Sequence, residues 1–204
     1  MRFDAFVPLA KDLPLFDVSL LQTLGLDKTY ATLVLHRWEN KGLVVRLKRG
    51  IYTLTNERRT QPISVPWLAN TLYSPSYLSL EFMLSWYDLI PEQVRLVTSL
   101  TRLKTAKFKN NFGTFSYRNI QKKFFFGMTE ILDNNTSILV ATPEKALIDT
   151  IYFSKSFDPS PDFFLQNLRL QSLEQLSKKK LKDIAKIMKS KKINRAVEIL
   201  VTLF

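Results

Sequence analysis

The sequence contains no cysteine and a single histidine, His36. Disulfides, thiolate nucleophiles and cysteine-ligated metals are therefore excluded, and one imidazole leaves little for a histidine-rich zinc site or a catalytic triad. Only five glycines are present, and they form neither a phosphate-cradling loop nor the Gly-Ser turn with closely spaced carboxylates that a nucleotidyltransferase needs. No apolar run reaches the roughly 18 residues of a membrane span. The start, Met1-Arg2-Phe3-Asp4, lacks the basic-then-apolar order of a signal peptide. These absences point to a cytoplasmic chain with no membrane partner, no metal and no cofactor.

The 204 residues are 46% hydrophobic and 24% charged, which suits a folding chain with room for two modest domains. The charge is unbalanced: 30 Lys and Arg face 18 Asp and Glu, a net +12. Such an excess favours a polyanionic partner, nucleic acid first. It is also uneven. Residues 1–60 hold ten basic and six acidic residues, residues 61–160 ten and eight, and residues 161–204 ten and four. The polar run Thr55-Asn56-Glu57-Arg58-Arg59-Thr60-Gln61-Pro62 has linker chemistry. It divides an N-terminal domain, 1–58, from a C-terminal one, 59–204, whose mixed body ends near 155 and whose basic helical tail covers 160–204.

Within 1–58, Phe3, Phe6, Val7 and Ala10 have helical spacing, with Pro8 placed to kink or break the helix. Asp17 caps a short second helix through Thr23, and Gly25 suits its end. Asp27 then caps a third helix running to about Lys41 and stopped by Gly42. Two helices joined by a short glycine-containing turn are helix-turn-helix punctuation. On the third helix Ala31, Val34, Leu35 and Trp38 form the core side. The opposite side presents Thr29, Leu33, His36 and Asn40, flanked by Thr32 and Arg37, a set able to meet base edges, thymine methyls and phosphates. Leu43–Leu47 and Ile51–Leu54 then read as a hairpin closed by Lys48-Arg49-Gly50, a wing whose Arg46, Lys48 and Arg49 would lie on phosphates or in a minor groove. Winged helices also dock proteins, and a lone exposed histidine is commonly a solvated residue. Both readings stay open at this point.

The remainder predicts an α+β fold. A helix is expected over Tyr77–Tyr87 with Leu78, Phe82 and Trp86 as its core stripe. Val94–Thr98, Lys107-Phe108, Thr114–Tyr117, Lys123–Phe126 and Ile138–Val140 suggest an antiparallel sheet. Thr142-Pro143-Glu144 opens a helix over Ala146–Phe153. In the tail, Leu181, Ile184, Ala185 and Met188, and then Ile193, Ala196, Val197, Leu200, Val201 and Phe204, make two apolar faces. Lys178, Lys182, Lys186 and Lys189 form a basic stripe opposite the first, suited equally to solvent or to an anionic partner. Glu81, Asp88, Glu92, Glu144 and Asp149 are the acids whose convergence would make a two-metal site, but the last two have local roles on their helix. No catalytic residues are assigned, and the chain is not expected to be an enzyme.

Several segments taken in order resemble a known family. They are Asn40-Lys41-Gly42-Leu43 leading to Lys48-Arg49-Gly50-Ile51-Tyr52, then Pro75-Ser76-Tyr77-Leu78-Ser79-Leu80 with Tyr87-Asp88-Leu89-Ile90-Pro91-Glu92. Phe112-Gly113-Thr114-Phe115-Ser116-Tyr117 and Ala141-Thr142-Pro143-Glu144-Lys145-Ala146-Leu147-Ile148-Asp149 follow. Together they are similar to the AbiE-type antitoxins of bacterial abortive-infection systems, the AbiEi family. The resemblance implies a winged helix that represses its own operon on inverted repeats in double-stranded DNA. It further implies a C-terminal domain that neutralises a co-encoded nucleotidyltransferase-like toxin without requiring a stable complex. The tail after Phe153 lies outside the better-defined pattern. A protein-interaction module that restrains a toxin directly, and an RNA-binding protein using the same cations, are the alternative readings.

Overall fold

The computed structural model describes residues 1–204 and shows a mixed α/β fold with helices and two sheets, consistent with the α+β class. The chain separates into two compact units, Met1–Val65 with Phe108–Gly113, and Pro66–Lys107 with Thr114–Phe204.

In the first unit, helices α1 (Phe3–Ala10), α2 (Val18–Gln22) and α3 (Lys28–Asn40) accompany strands β1 (Phe16–Asp17), β2 (Val44–Lys48) and β3 (Ile51–Leu54). The strands form an antiparallel sheet of order β1-β3-β2. Pro8 lies inside α1 without ending it. Phe3, Phe6 and Ala10 are buried on its other side, and burying two phenylalanines at about 1.5–3 kcal/mol each offsets a proline penalty of about 3 kcal/mol. Asp17 caps α2 by accepting from Ser19 N at 2.8 Å. Asp27 caps α3 by accepting from the backbone N–H of Thr29 and Tyr30 at 2.9 and 3.0 Å. At the far end of α3, Leu43 N donates to Trp38 O and Gly42 N to Glu39 O, both at 2.9 Å, with Gly42 at φ +66°. This is a Schellman stop, which only a residue tolerant of positive φ completes cheaply. The core is aromatic: Trp38 meets Phe3 and Phe6 with ring centroids 5.1 and 4.9 Å apart, and Phe6 meets Phe16 at 5.1 Å.

The second unit is built on a six-stranded sheet. Its strands are β4 (Ser76–Leu78), β5 (Val97–Thr101), β6 (Ala106–Asn110), β7 (Gly113–Asn119), β8 (Met128–Asp133) and β9 (Thr136–Ala141), in the order β6-β7-β5-β4-β9-β8, with β6 from Phe108 onward and Gly113 of β7 counted in the first unit. The sheet is mixed, which corrects the antiparallel expectation. β4 runs antiparallel to β5, and β8 to β9, but β4 pairs parallel with β9 and β5 parallel with β7. The parallel pairs join strands distant in sequence, so turn chemistry does not reveal them. Lys123–Phe126 is not a strand: Lys122–Phe124 makes a single 3-10 turn and β8 begins after Gly127.

Five helices complete the chain: α4 (Val65–Leu72), α5 (Leu80–Trp86), α6 (Pro143–Phe153), α7 (Lys178–Met188) and α8 (Lys191–Leu200). The helix expected from Tyr77 starts only at Leu80, because Ser76–Leu78 is committed to the sheet. Its buried residues are accordingly Leu80, Met83 and Leu84, while Trp86 is 41% exposed. Thr142 caps α6 with Pro143 at its first turn, as the sequence predicts. Helix α6 is the hub, packing on α5, α7 and α8. The two apolar faces of the tail are formed as expected, with Leu181, Ile184, Ala185 and Met188 buried on α7 and Ile193, Ala196, Val197 and Leu200 on α8. No helix is long and apolar enough to cross a membrane.

Candidate nucleic-acid interface

The first unit sorts the two sides of α3 sharply. Ala31, Val34, Leu35 and Trp38 are buried, whereas Thr29, Thr32, Leu33, His36, Arg37 and Asn40 are all exposed. Leu33 keeps 43% of its surface in solvent. Tyr30, 42% exposed, lies within about 20° of Arg37 around the helix at 100° per residue, and is a candidate that the sequence reading passed over. Its aromatic ring and phenol suit a backbone or base contact.

Polar contacts on this face are local. The Thr32 hydroxyl donates to Lys28 O at 2.8 Å. Asn40 Nδ2 lies 3.3 Å from His36 Nε2, and His36 Nδ1 faces Glu39 Oε2 at 3.7 Å. If Asn40 donates, His36 carries its proton on Nδ1, toward the carboxylate. Glu39 also holds Arg46 Nη1 at 3.8 Å from its Oε1. The carboxylate thus lies between α3 and β2 without appearing among the residues that patterning selects. Tyr52, opposite Arg46 in the ladder, has its hydroxyl pKa raised by burial and then by Glu39.

The hairpin is closed by Arg49-Gly50, with Gly50 at φ +82°, a conformation that suits glycine. The register shifts between Arg46 and Lys48, a bulge that re-aims the strand end. Its three cations are unequal. Arg46 is tied to Glu39, and Lys48 lies over the Phe108 ring at 5.9 Å. Arg49 is exposed and engaged by neither an acid nor a ring. Asn110 Nδ2 donates to Leu47 O at 3.0 Å, pinning β2 just before the tip.

The structure thus gathers seven of the eight residues chosen from sequence for nucleic acid onto exposed ground in the first unit, Lys48 being half-buried. The four tail lysines, Lys178, Lys182, Lys186 and Lys189, belong to the second unit and are all exposed. Lys178 lies over the Phe204 ring at 5.1 Å. Lys186 sits 3.8 Å from Asp183, and Lys182, Lys186 and Lys189 share a groove between α7 and α8.

A second cluster, inside the second unit, has a different character. Lys145 and Asp149 form an ion pair with no side-chain exposure on either partner. Tyr77 and Ser79 donate their hydroxyls to Asp149 Oδ2 at 3.0 and 2.8 Å, and Lys145 Nζ donates to Tyr77 Oη at 3.0 Å. Burial pushes Lys145 down and Asp149 up, each opposed by the other's charge. A Cβ on Gly127, at φ +74°, would approach the Lys145 stem to 3.1 Å. Leu80, at φ +63° directly after Ser79, carries a backbone cost of about 1–2 kcal/mol. The sealed network fits a role in fixing the packing of α6 against β4. The five acids considered as a metal set do not converge. Glu144 accepts from Ser177 N at 3.0 Å and Glu92 pairs with Arg169 at 2.8 Å.

Comparison of the chain with models of known protein families gives no match, and comparison with curated proteins gives none either.

Proposed function

We propose that the chain is a DNA-binding transcriptional repressor and the antitoxin of a toxin–antitoxin operon. In this reading the first unit is a winged helix-turn-helix, α3 is its recognition helix and β2–β3 its wing. The observation that carries it is the exposed, largely polar face of α3, with Thr29, Thr32, Leu33, His36 and Arg37, beside a hairpin tipped by Arg49. A helix of 13 residues capped at both ends enters a major groove as a rigid rod, which lowers the ordering cost of docking.

Each side chain then has a task. Arg37 reaches a phosphate or a guanine edge, Thr29 and Thr32 contact phosphates, and Leu33 meets a thymine methyl. His36, steadied by Asn40, offers a directional donor or acceptor. Arg49 reaches the adjoining backbone or minor groove. The chain has one such surface, so an inverted-repeat operator takes two copies. Its net +12 supplies long-range attraction that is independent of sequence. The antitoxin half rests on the ordered resemblance from Asn40 to Asp149 and names a nucleotidyltransferase-like toxin as the functional partner.

Footprinting of the full chain on the DNA upstream of its own gene tests the repressor reading. Two protected half-sites in inverted orientation, about one helical turn or a multiple of it apart, are expected. Absence of any discrete protected region would overturn it. Growth of toxin-expressing cells restored by the chain tests the antitoxin half separately.

A further inference from the structure

Helices α7 and α8 pack together in the second unit, and between them runs an open groove of about 610 Å³. Its floor is apolar and built from small or branched side chains: Ala185 and Val197 are buried and Val201 is half-buried. One rim carries Lys182, Lys186 and Lys189, all exposed, and the other carries Asn194 and Glu198. The lysines fall at i, i+4 and i+7 and so span about 10 Å along the helix. Asp183 is the one acid near them on α7, 3.8 Å from Lys186, and Glu198 is held by Arg195 at 3.2 Å.

Two features decide what fits. The small floor residues leave room for the side chains of an approaching helix, the arrangement by which an amphipathic helix lays its apolar face in a groove. The row of three ammonium groups along one rim complements acidic residues flanking that apolar face. A phosphate backbone gains nothing from the apolar floor. We propose that the α7–α8 groove is a docking site for an acidic amphipathic helix of a partner protein. Every residue involved lies in the second unit, so the proposal stands apart from the operator-binding reading.

The test is fluorescence anisotropy of the full chain with a labelled peptide of about four helical turns, with leucines at i, i+3, i+4 and i+7 among glutamates. The designed peptide is expected to bind at least about tenfold more tightly than a scrambled peptide of identical composition. Lys182→Glu with Lys186→Glu should weaken it about tenfold or more, while Lys104→Glu with Lys107→Glu, the same charge change at exposed sites off α7 and α8, should leave it within about twofold. Asn194→Trp, an exposed position whose new ring would fill the groove, should also weaken it about tenfold. All four substituted lysines and Asn194 are on the surface or rim, so circular dichroism should show the fold intact. Equal binding of the scrambled peptide, equal loss in the two lysine pairs, or no effect of Asn194→Trp would overturn the proposal. Tighter binding of a DNA duplex that depends on Lys182 and Lys186 would overturn it in favour of nucleic acid.

Discussion

Lys145 and Asp149, one turn apart on α6, form an ion pair from which solvent is wholly excluded, and Tyr77 from β4 bonds to both partners. Every strong interaction of the pair is internal, so its removal acts on stability.

Replacing Asp149 with leucine leaves a buried ammonium without its counter-charge, a loss of about 3–5 kcal/mol by the usual cost of such orphans. Lys145→Met alone is expected to fall in the same range. The double change Lys145→Met with Asp149→Leu removes both charges and should cost clearly less than the sum of the singles. Urea unfolding followed by circular dichroism measures all three. Additive losses would show that the two residues do not act as a unit.

A second prediction concerns alkaline pH. Burial, with Glu144 adding repulsion, pushes the Tyr87 hydroxyl up to about 12 from 10.0, and burial raises Tyr77 and Tyr117 as well. A tyrosine whose pKa is raised by folding contributes stability that is full below its unfolded value and is lost as pH rises through the folded one. Stability should therefore fall as pH climbs from 10 toward 12. Tyrosinate absorbance from these three residues should appear together with loss of structure. Ionisation of all three in an intact fold would contradict their burial.

The hairpin cations should not be equivalent. Arg49→Ala is expected to weaken operator binding several-fold and reduce its salt dependence by about one ion. Lys48→Ala should do less, because that side chain already lies over Phe108. Thermal unfolding should be unchanged by Arg49→Ala. Equal affinity of Arg49→Ala and the parent chain would remove the wing from the mechanism.

Caps and stops were legible in the sequence because they are local chemistry. Asp17, Asp27, Gly42 and Thr142 each act within a few residues of their own position, and all four perform as their types require. The faces of α3, α7 and α8 were legible for the same reason. Sheet order was not, since Leu78 pairs with Val140 and Val97 with Phe115 across long stretches of chain. Pattern also misassigned Leu78, whose helical spacing to Phe82 coincides with membership of a three-residue strand. The buried network left one trace: Lys145 and Asp149 are charged residues four apart in an otherwise apolar helix. Their partners Tyr77 and Ser79 lie about 70 residues away, and Glu39 looked like any surface acid until β2 placed Arg46 beside it.

The most direct test of the central claim is a titration of the full chain against its own upstream duplex and a scrambled duplex of equal length, over a series of salt concentrations. The account predicts a preference for the upstream sequence of about a thousandfold or more that persists while overall affinity falls with salt. It also predicts that Arg37→Ala narrows that preference. Equal affinity for the two duplexes, vanishing together as salt rises, would contradict it and leave only the attraction of a basic surface for a polyanion.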